Sequence, residues 1–247
     1  MWKFLYQLAS PKSFFQITQT YLGYFGYLAA FCLVIGIFWG LFFTPADYQQ
    51  GDAFRIIYVH VPAAFLSMGL FAAMAFWALL LLVWRIKLAG ILIAASAQVG
   101  ASMSLIALIT GSIWGKPMWG TWWIWDARLT SELILLLLYL AILALSYAFK
   151  HHEQSDKLAA VLTLVGVIDL PVIHYSVYWW QTLHQGATLT LFAKPKIATT
   201  MLYPLIITLL GFAFFCGWLI LHKACNALLL RERRQVWVND LITNGNR

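Results

Sequence analysis

The chain has 247 residues, 62% of them apolar and 10% charged, with 16 Lys and Arg against 9 Asp and Glu for a formal net charge of +7. The charges fall in short clusters between long apolar runs, which excludes a soluble globular domain and a phosphate-binding face for nucleic acid. A bilayer-crossing helix needs about 20 apolar residues and satisfies its own backbone hydrogen bonds. The expected fold class is therefore all-α, a polytopic integral membrane protein with six transmembrane helices forming one domain over residues 1–247.

In chain order, residues 1–20 read as an interfacial lead-in that holds Lys3 and Lys12 at a headgroup surface. The spans are expected at about 21–43, 58–84, 88–113, 129–149, 158–178 and 200–221. His60 and Pro62 stand in the first turn of the second span, and Arg85 and Lys87 form a tight basic turn after it. The third span places Ser96, Gly100 and Ser104 four residues apart, followed by Ala107 and Gly111. Small residues at that spacing let a neighbouring helix come close, so this helix is expected at the centre of the bundle. Asp169, Pro171 and His174 fall in the fifth span, and the loop after it carries Trp180, His184, Gly186, Lys194, Pro195 and Lys196. Cys32, Cys216 and Cys225 have no metal-type spacing and read as small apolar residues.

Lysine and arginine set the orientation. One set of connections holds Lys3, Lys12, Arg85, Lys87, Lys150, Lys157, Lys223, Arg231, Arg233, Arg234 and Arg247, and the other only Arg55, Lys116, Arg128, Lys194 and Lys196. The richer set is expected in the cytoplasm with both termini. His60, His184 and the connection between the third and fourth spans are then expected on the outer side.

That connection is the most unusual stretch. Trp114, Trp119, Trp122, Trp123 and Trp125 lie within a dozen residues, punctuated by Gly115, Pro117 and Gly120 and closed by Asp126 and Arg128. The punctuation predicts an irregular or briefly helical segment, a tryptophan-rich loop over 114–128. Interfacial anchoring explains scattered tryptophans such as Trp39, Trp84 and Trp218, and it explains five in one loop poorly. Flat aromatic faces suit a haem, and the imidazoles of His60 and His184 could close both axial positions of its iron. Taken singly, each histidine is more often an interfacial hydrogen-bonding group than a ligand, and His174 is a rival ligand. Arg128, Lys116 and Arg55 are candidate donors to propionates, although Arg128 and Glu132 also stand at ion-pair spacing on one helix. Asp126 reads as the N-cap of the fourth helix, with orientation of an indole or a partner as the alternative. Asp169 is an intramembrane acid, and Pro171 frees a carbonyl one turn before it.

The run from Trp114-Gly115 through Trp119-Gly120, Trp122 and Trp125-Asp126 to Arg128-Leu129-Thr130 resembles the tryptophan-rich signature of the haem-handling membrane proteins of cytochrome c maturation. Six spans without a large soluble domain make the chain most similar to their CcmC branch. The resemblance covers essentially the whole chain. It implies a multi-pass protein of the bacterial inner membrane that presents non-covalently bound haem b at the periplasmic surface. It implies His60 and His184 as the axial ligands, with Trp114, Trp119, Trp122, Trp123, Trp125, Asp126 and Arg128 around the haem. It further implies delivery to the haem chaperone CcmE, with CcmD and the ATP-binding cassette subunits CcmA and CcmB as partners. The protein would be no enzyme. The alternative is the permease subunit of an ABC-type haem exporter, and a quinone-linked oxidoreductase or lyase ranks below both.

Overall fold

A computed structural model describes residues 10–149, 151–180, 182–184 and 197–245. The expectations placed on Lys3, Lys150, Gly186, Lys194, Pro195, Lys196 and Arg247 lie outside the described residues. The helices are α1 Pro11–Phe42, α2 Ile57–Trp84, α3 Lys87–Trp119, α4 Ala127–Ala148, α5 His152–Gly166, α6 Asp169–Trp179, α7 Thr199–Arg231 and α8 Val236–Gly245, with a 3₁₀ turn, Asp52–Ile56, running into α2. Six helical segments are long and apolar enough to cross a membrane, with α5 and α6 together making the fifth. The chain is a multi-pass membrane protein.

Several helices run past the apolar spans, and local chemistry accounts for it. Helix α1 begins at Pro11 behind Ser10, where proline's fixed φ and missing N–H fit a first helical position. Its start is ten residues before the expected span, so Lys12 lies on the helix. Helix α3 continues through Gly115 and Pro117 to Trp119 and stops at Gly120, whose φ of 77° is the left-handed conformation that ends helices. Trp114 and Trp119 therefore sit on a helix, and only 120–126 is irregular. The fifth span is broken because Pro171 cannot donate to the carbonyl of Val167; Leu170 N–H donates there instead, at 3.2 Å, in a tighter turn.

Helix α3 is the core of the bundle. Of its most apolar stretch 72% is buried, against 17–33% in the other five spans. The small-residue face does what its spacing predicts. Gly100 lies directly against the Tyr139 ring, where a Cβ would overlap it, and the Tyr139 hydroxyl donates to the Ser67 carbonyl at 2.6 Å. Phe71, Met74, Ile93, Leu135, Tyr139 and Ile142 fill the centre between α2, α3 and α4. Helix α1 packs chiefly along α7 and turns Tyr24, Tyr27, Phe31, Phe38 and Phe42 outward, as a lipid-facing helix would.

The end of the bundle where α3 begins is closed by charge. Asp156 is buried in α5, beside Gly90 of α3, and Arg231 at the end of α7 donates to both its oxygens, at 2.6 and 2.9 Å. Beyond it, Trp237 of α8 packs on Phe15 and its indole N–H donates to Glu232 at 2.9 Å. All three cysteines are free, two of them buried.

Candidate functional site

At the opposite end, where α2 starts and α3 stops, an open cavity lies between α2, α3, α4 and the loop after α6. His60, Trp114, Trp119, Arg128, Glu132 and His184 line it. Residues 124 positions apart in sequence are thus brought to one space, and the two imidazole centroids are 6.3 Å from each other.

His60 is held by α3. Its Nδ1 lies 3.1 Å from the Ala107 carbonyl and 3.1 Å from the Thr110 hydroxyl. A carbonyl only accepts, so Nδ1 carries the proton. Thr110 itself donates to the Ile106 carbonyl at 2.6 Å, which leaves its oxygen free to share that proton. Nε2 is then the ring nitrogen with an available lone pair, the arrangement that fixes the tautomer of metal-binding histidines. The Trp114 ring meets His60 edge-on at 5.6 Å and is fixed by its own N–H donating to Gln50 Oε1 at 2.9 Å. Trp119 stands 6.1 Å from His184, so each histidine has one tryptophan beside it.

The five tryptophans divide. Trp114 and Trp119 line the cavity, whereas Trp122, Trp123 and Trp125 do not. Trp122 and Trp125 are 56% and 75% exposed, far above what an ordinary packed indole shows. Trp123 stands edge-on to Trp125 at 5.4 Å, and its Nε1 is buried without a hydrogen-bond partner. Asp126 caps α4, with Oδ1 accepting from Leu129 N–H at 2.8 Å, and its Oδ2 accepts from the Thr182 hydroxyl.

The charged side chains sort just as clearly. Arg128 lines the cavity and donates to the Ile173 carbonyl at 3.3 Å; the ion pair with Glu132 that their spacing suggests does not form. Arg55 is committed elsewhere, donating to Asp52, the carbonyls of Gly40, Leu41 and Thr44, and the Thr44 hydroxyl, so it clamps the end of α1. Lys116 donates to the Gly120 carbonyl at 3.0 Å. His174 lies on the exposed face of α6 against Tyr175, outside the cavity. Asp169 starts α6, with Oδ2 buried and unpartnered.

Glu132 is the cavity residue that the sequence leaves inconspicuous. It is 8% exposed, and its Oε1 accepts from Ser104 at 2.9 Å and Ser67 at 3.0 Å. The only signal for it was an acid one helical turn from Arg128, opposite the small-residue face of α3.

A six-span bundle with a histidine- and tryptophan-lined cavity at one end defines a multi-pass membrane protein with a candidate ligand site. The comparisons agree on which. A family model described as "CcmC: Heme exporter protein C" matches residues 4–239. The chain is 48% identical over 247 residues to "Heme exporter protein C" of Escherichia coli (strain K12), covering 100% of both chains. It is 49% identical over 241 residues to the protein of that name from Haemophilus influenzae, 98% of each. It is 39% identical over 203 residues to a "Putative cytochrome c biosynthesis ccmC-like mitochondrial protein" of Marchantia polymorpha, 82% of this chain and 84% of the relative. The chain belongs to the heme exporter protein C (CcmC) family.

Proposed function

We propose that the protein binds haem b non-covalently at the periplasmic surface of the bacterial inner membrane and delivers it to the chaperone CcmE for cytochrome c biogenesis. Both termini would be cytoplasmic. The observation that carries this reading is the pair of imidazoles, His60 and His184, 6.3 Å apart across one cavity. With metal–nitrogen bonds of about 2 Å, two imidazoles on one metal atom place their centroids about 6 Å apart. Among the described residues no group of three or more His, Cys, Asp or Glu side chains is arranged to hold a metal ion. Two ligands are too few for a bare ion, and two is the number a haem iron leaves to the protein.

The site residues take roles accordingly. His60 and His184 are the axial ligands. Trp114 and Trp119 cover the ligand faces, and Arg128 offers its guanidinium to a propionate. Trp122 and Trp125, both exposed, form the docking face for CcmE, with Trp123 packed edge-on against Trp125. Asp126 fixes the loop. CcmD and the ATP-binding cassette subunits CcmA and CcmB complete the assembly. Its role is haem handling rather than catalysis.

The permease alternative needs a path through the bundle. The packing speaks against it, because inward of Glu132 the fully buried Leu135, Tyr139 and Phe71 are in one continuous core.

The test is the optical spectrum of the purified protein. The expected result is a six-coordinate, low-spin haem that is lost in the His60→Ala/His184→Ala double variant. An unchanged spectrum in that variant would overturn the ligand assignment. Transfer of the bound haem to added CcmE, without ATP, tests the delivery step; failure of transfer from fully loaded protein would favour the permease.

A further inference from the structure

His60 and His184 are mounted very differently. His60 stands on a long helix and is hydrogen-bonded to the centre of the bundle. His184 stands on a loop that has left α6 at Trp180, whose φ of −130° and ψ of 157° are already extended. Ordering a loop residue costs conformational entropy, and a site residue on a loop needs a fixture to stay in place. One such fixture is present at Thr182. The Thr182 hydroxyl donates to Asp126 Oδ2 and accepts from the backbone N–H of His184 at 3.1 Å. The same Asp126 caps α4 through its other oxygen, and α4 is packed into the bundle.

We infer that Thr182 is the positioning residue of His184: its hydroxyl fastens the loop that carries the second histidine to the cap carboxylate of α4. The chemistry suits the task. A hydroxyl donates one hydrogen bond and accepts others, and here it does both at once. The bond to the carboxylate is charge-assisted, which strengthens it and shortens the reach between loop and helix. Donating to the carboxylate also polarises the oxygen that receives the His184 N–H. Asp126 thereby has a second task beyond capping. The aspartate that closes the tryptophan stretch holds the histidine facing it.

This inference rests on the reading of His184 as an axial ligand, and the test separates the two. The full-length protein is purified with haem bound, and its ferric form is titrated with cyanide, which competes with a protein ligand for the iron. Apparent affinity rises with the fraction of molecules in which that ligand has let go. Thr182→Val keeps the shape and removes the hydroxyl. It should tighten apparent cyanide binding about tenfold, the size of one lost charge-assisted hydrogen bond, and shift the resting spectrum toward high spin. Thr182→Ser should titrate within about twofold of the parent, since it keeps both hydrogen-bonding roles.

Asp126→Ser supplies a second route should Thr182→Val fold poorly. Serine still caps a helix but has no second oxygen to reach Thr182, so it should reproduce the valine phenotype. Combining it with Thr182→Val should add little, as expected of two groups in one contact. A Thr182→Val protein with the parent's cyanide affinity and spin state overturns the inference while leaving the ligand reading intact. A His184→Ala protein with the parent's spectrum overturns both.

Discussion

At the far end of the bundle, Asp156 gives both carboxylate oxygens to one guanidinium, while at the cavity end Asp126 divides its two between the start of α4 and the loop that carries His184. The first arrangement is closed. Asp156 is buried and Arg231 half-buried, each is matched by the other, and α5 and α7 are locked beside Gly90 of α3. The second is articulated, joining a fixed helix to a loop through a single hydroxyl. The contrast extends to neighbouring groups. Among the described residues, the buried side-chain polar atoms without a partner are Trp123 Nε1 and Asp169 Oδ2, and the first belongs to the cavity end.

The largest effect should come from breaking the closed end. Arg231→Met leaves Asp156 buried and uncompensated and should cost about 3 kcal/mol, read by SDS titration of the protein in detergent micelles. The haem spectrum of the molecules still folded should not change, because the cavity is at the other end. A loss below about 1 kcal/mol would mean that Asp156 finds water or another partner when Arg231 is removed. Next in size is Gly100→Leu, which drives a side chain into the Tyr139 ring and should cost about 2 kcal/mol by overpacking, seen as a lower thermal midpoint.

A smaller effect belongs to the cavity floor. Glu132→Leu removes the acceptor of the Ser67 and Ser104 hydroxyls and should cost about 1 kcal/mol. Glu132→Gln keeps an oxygen there and should cost less, which the same thermal measurement resolves. The smallest effect on stability is expected at the exposed indoles. Trp125→Ala should unfold within about 0.5 kcal/mol of the parent and keep its haem, while Trp119→Ala should lose haem on washing. Equal haem loss from both would mean that the division of the tryptophans does not separate cavity from docking face.

What could be read in the sequence was whatever repeats or lies close by along the chain. Apolar runs gave six spans, the four-residue spacing of Ser96, Gly100 and Ser104 gave the central helix, and Asp126 announced the start of α4. The resemblance of the tryptophan run pointed to the family. The contacts that set the ends were not legible, because they join residues far apart in sequence without any local pattern. Asp156 meets Arg231, 75 residues on, with no local pattern to announce the pair. Arg55 looked available for an anion, yet it closes the carbonyls at the end of α1. Thr182 gave no signal, since an isolated threonine in a loop is common. The continuation of α3 through Gly115 and Pro117 was obscured by the rule that such residues break helices. That rule describes local preference, and packing against the neighbouring turn and the His60 side of the cavity overrides it.

A Cβ at position 111 would come 3.1 Å from Cε1 of His60, closer than such atoms ordinarily settle. With a hydrogen atom there, the imidazole lies flush against α3 while its Nδ1 is tied to the Ala107 carbonyl on the same face. Those two contacts act as a depth stop and a latch. A residue with no side chain, itself part of the cavity wall, thus calibrates how far His60 projects toward His184, and adding one methyl group there would reset that span by tenths of an ångström without altering either histidine.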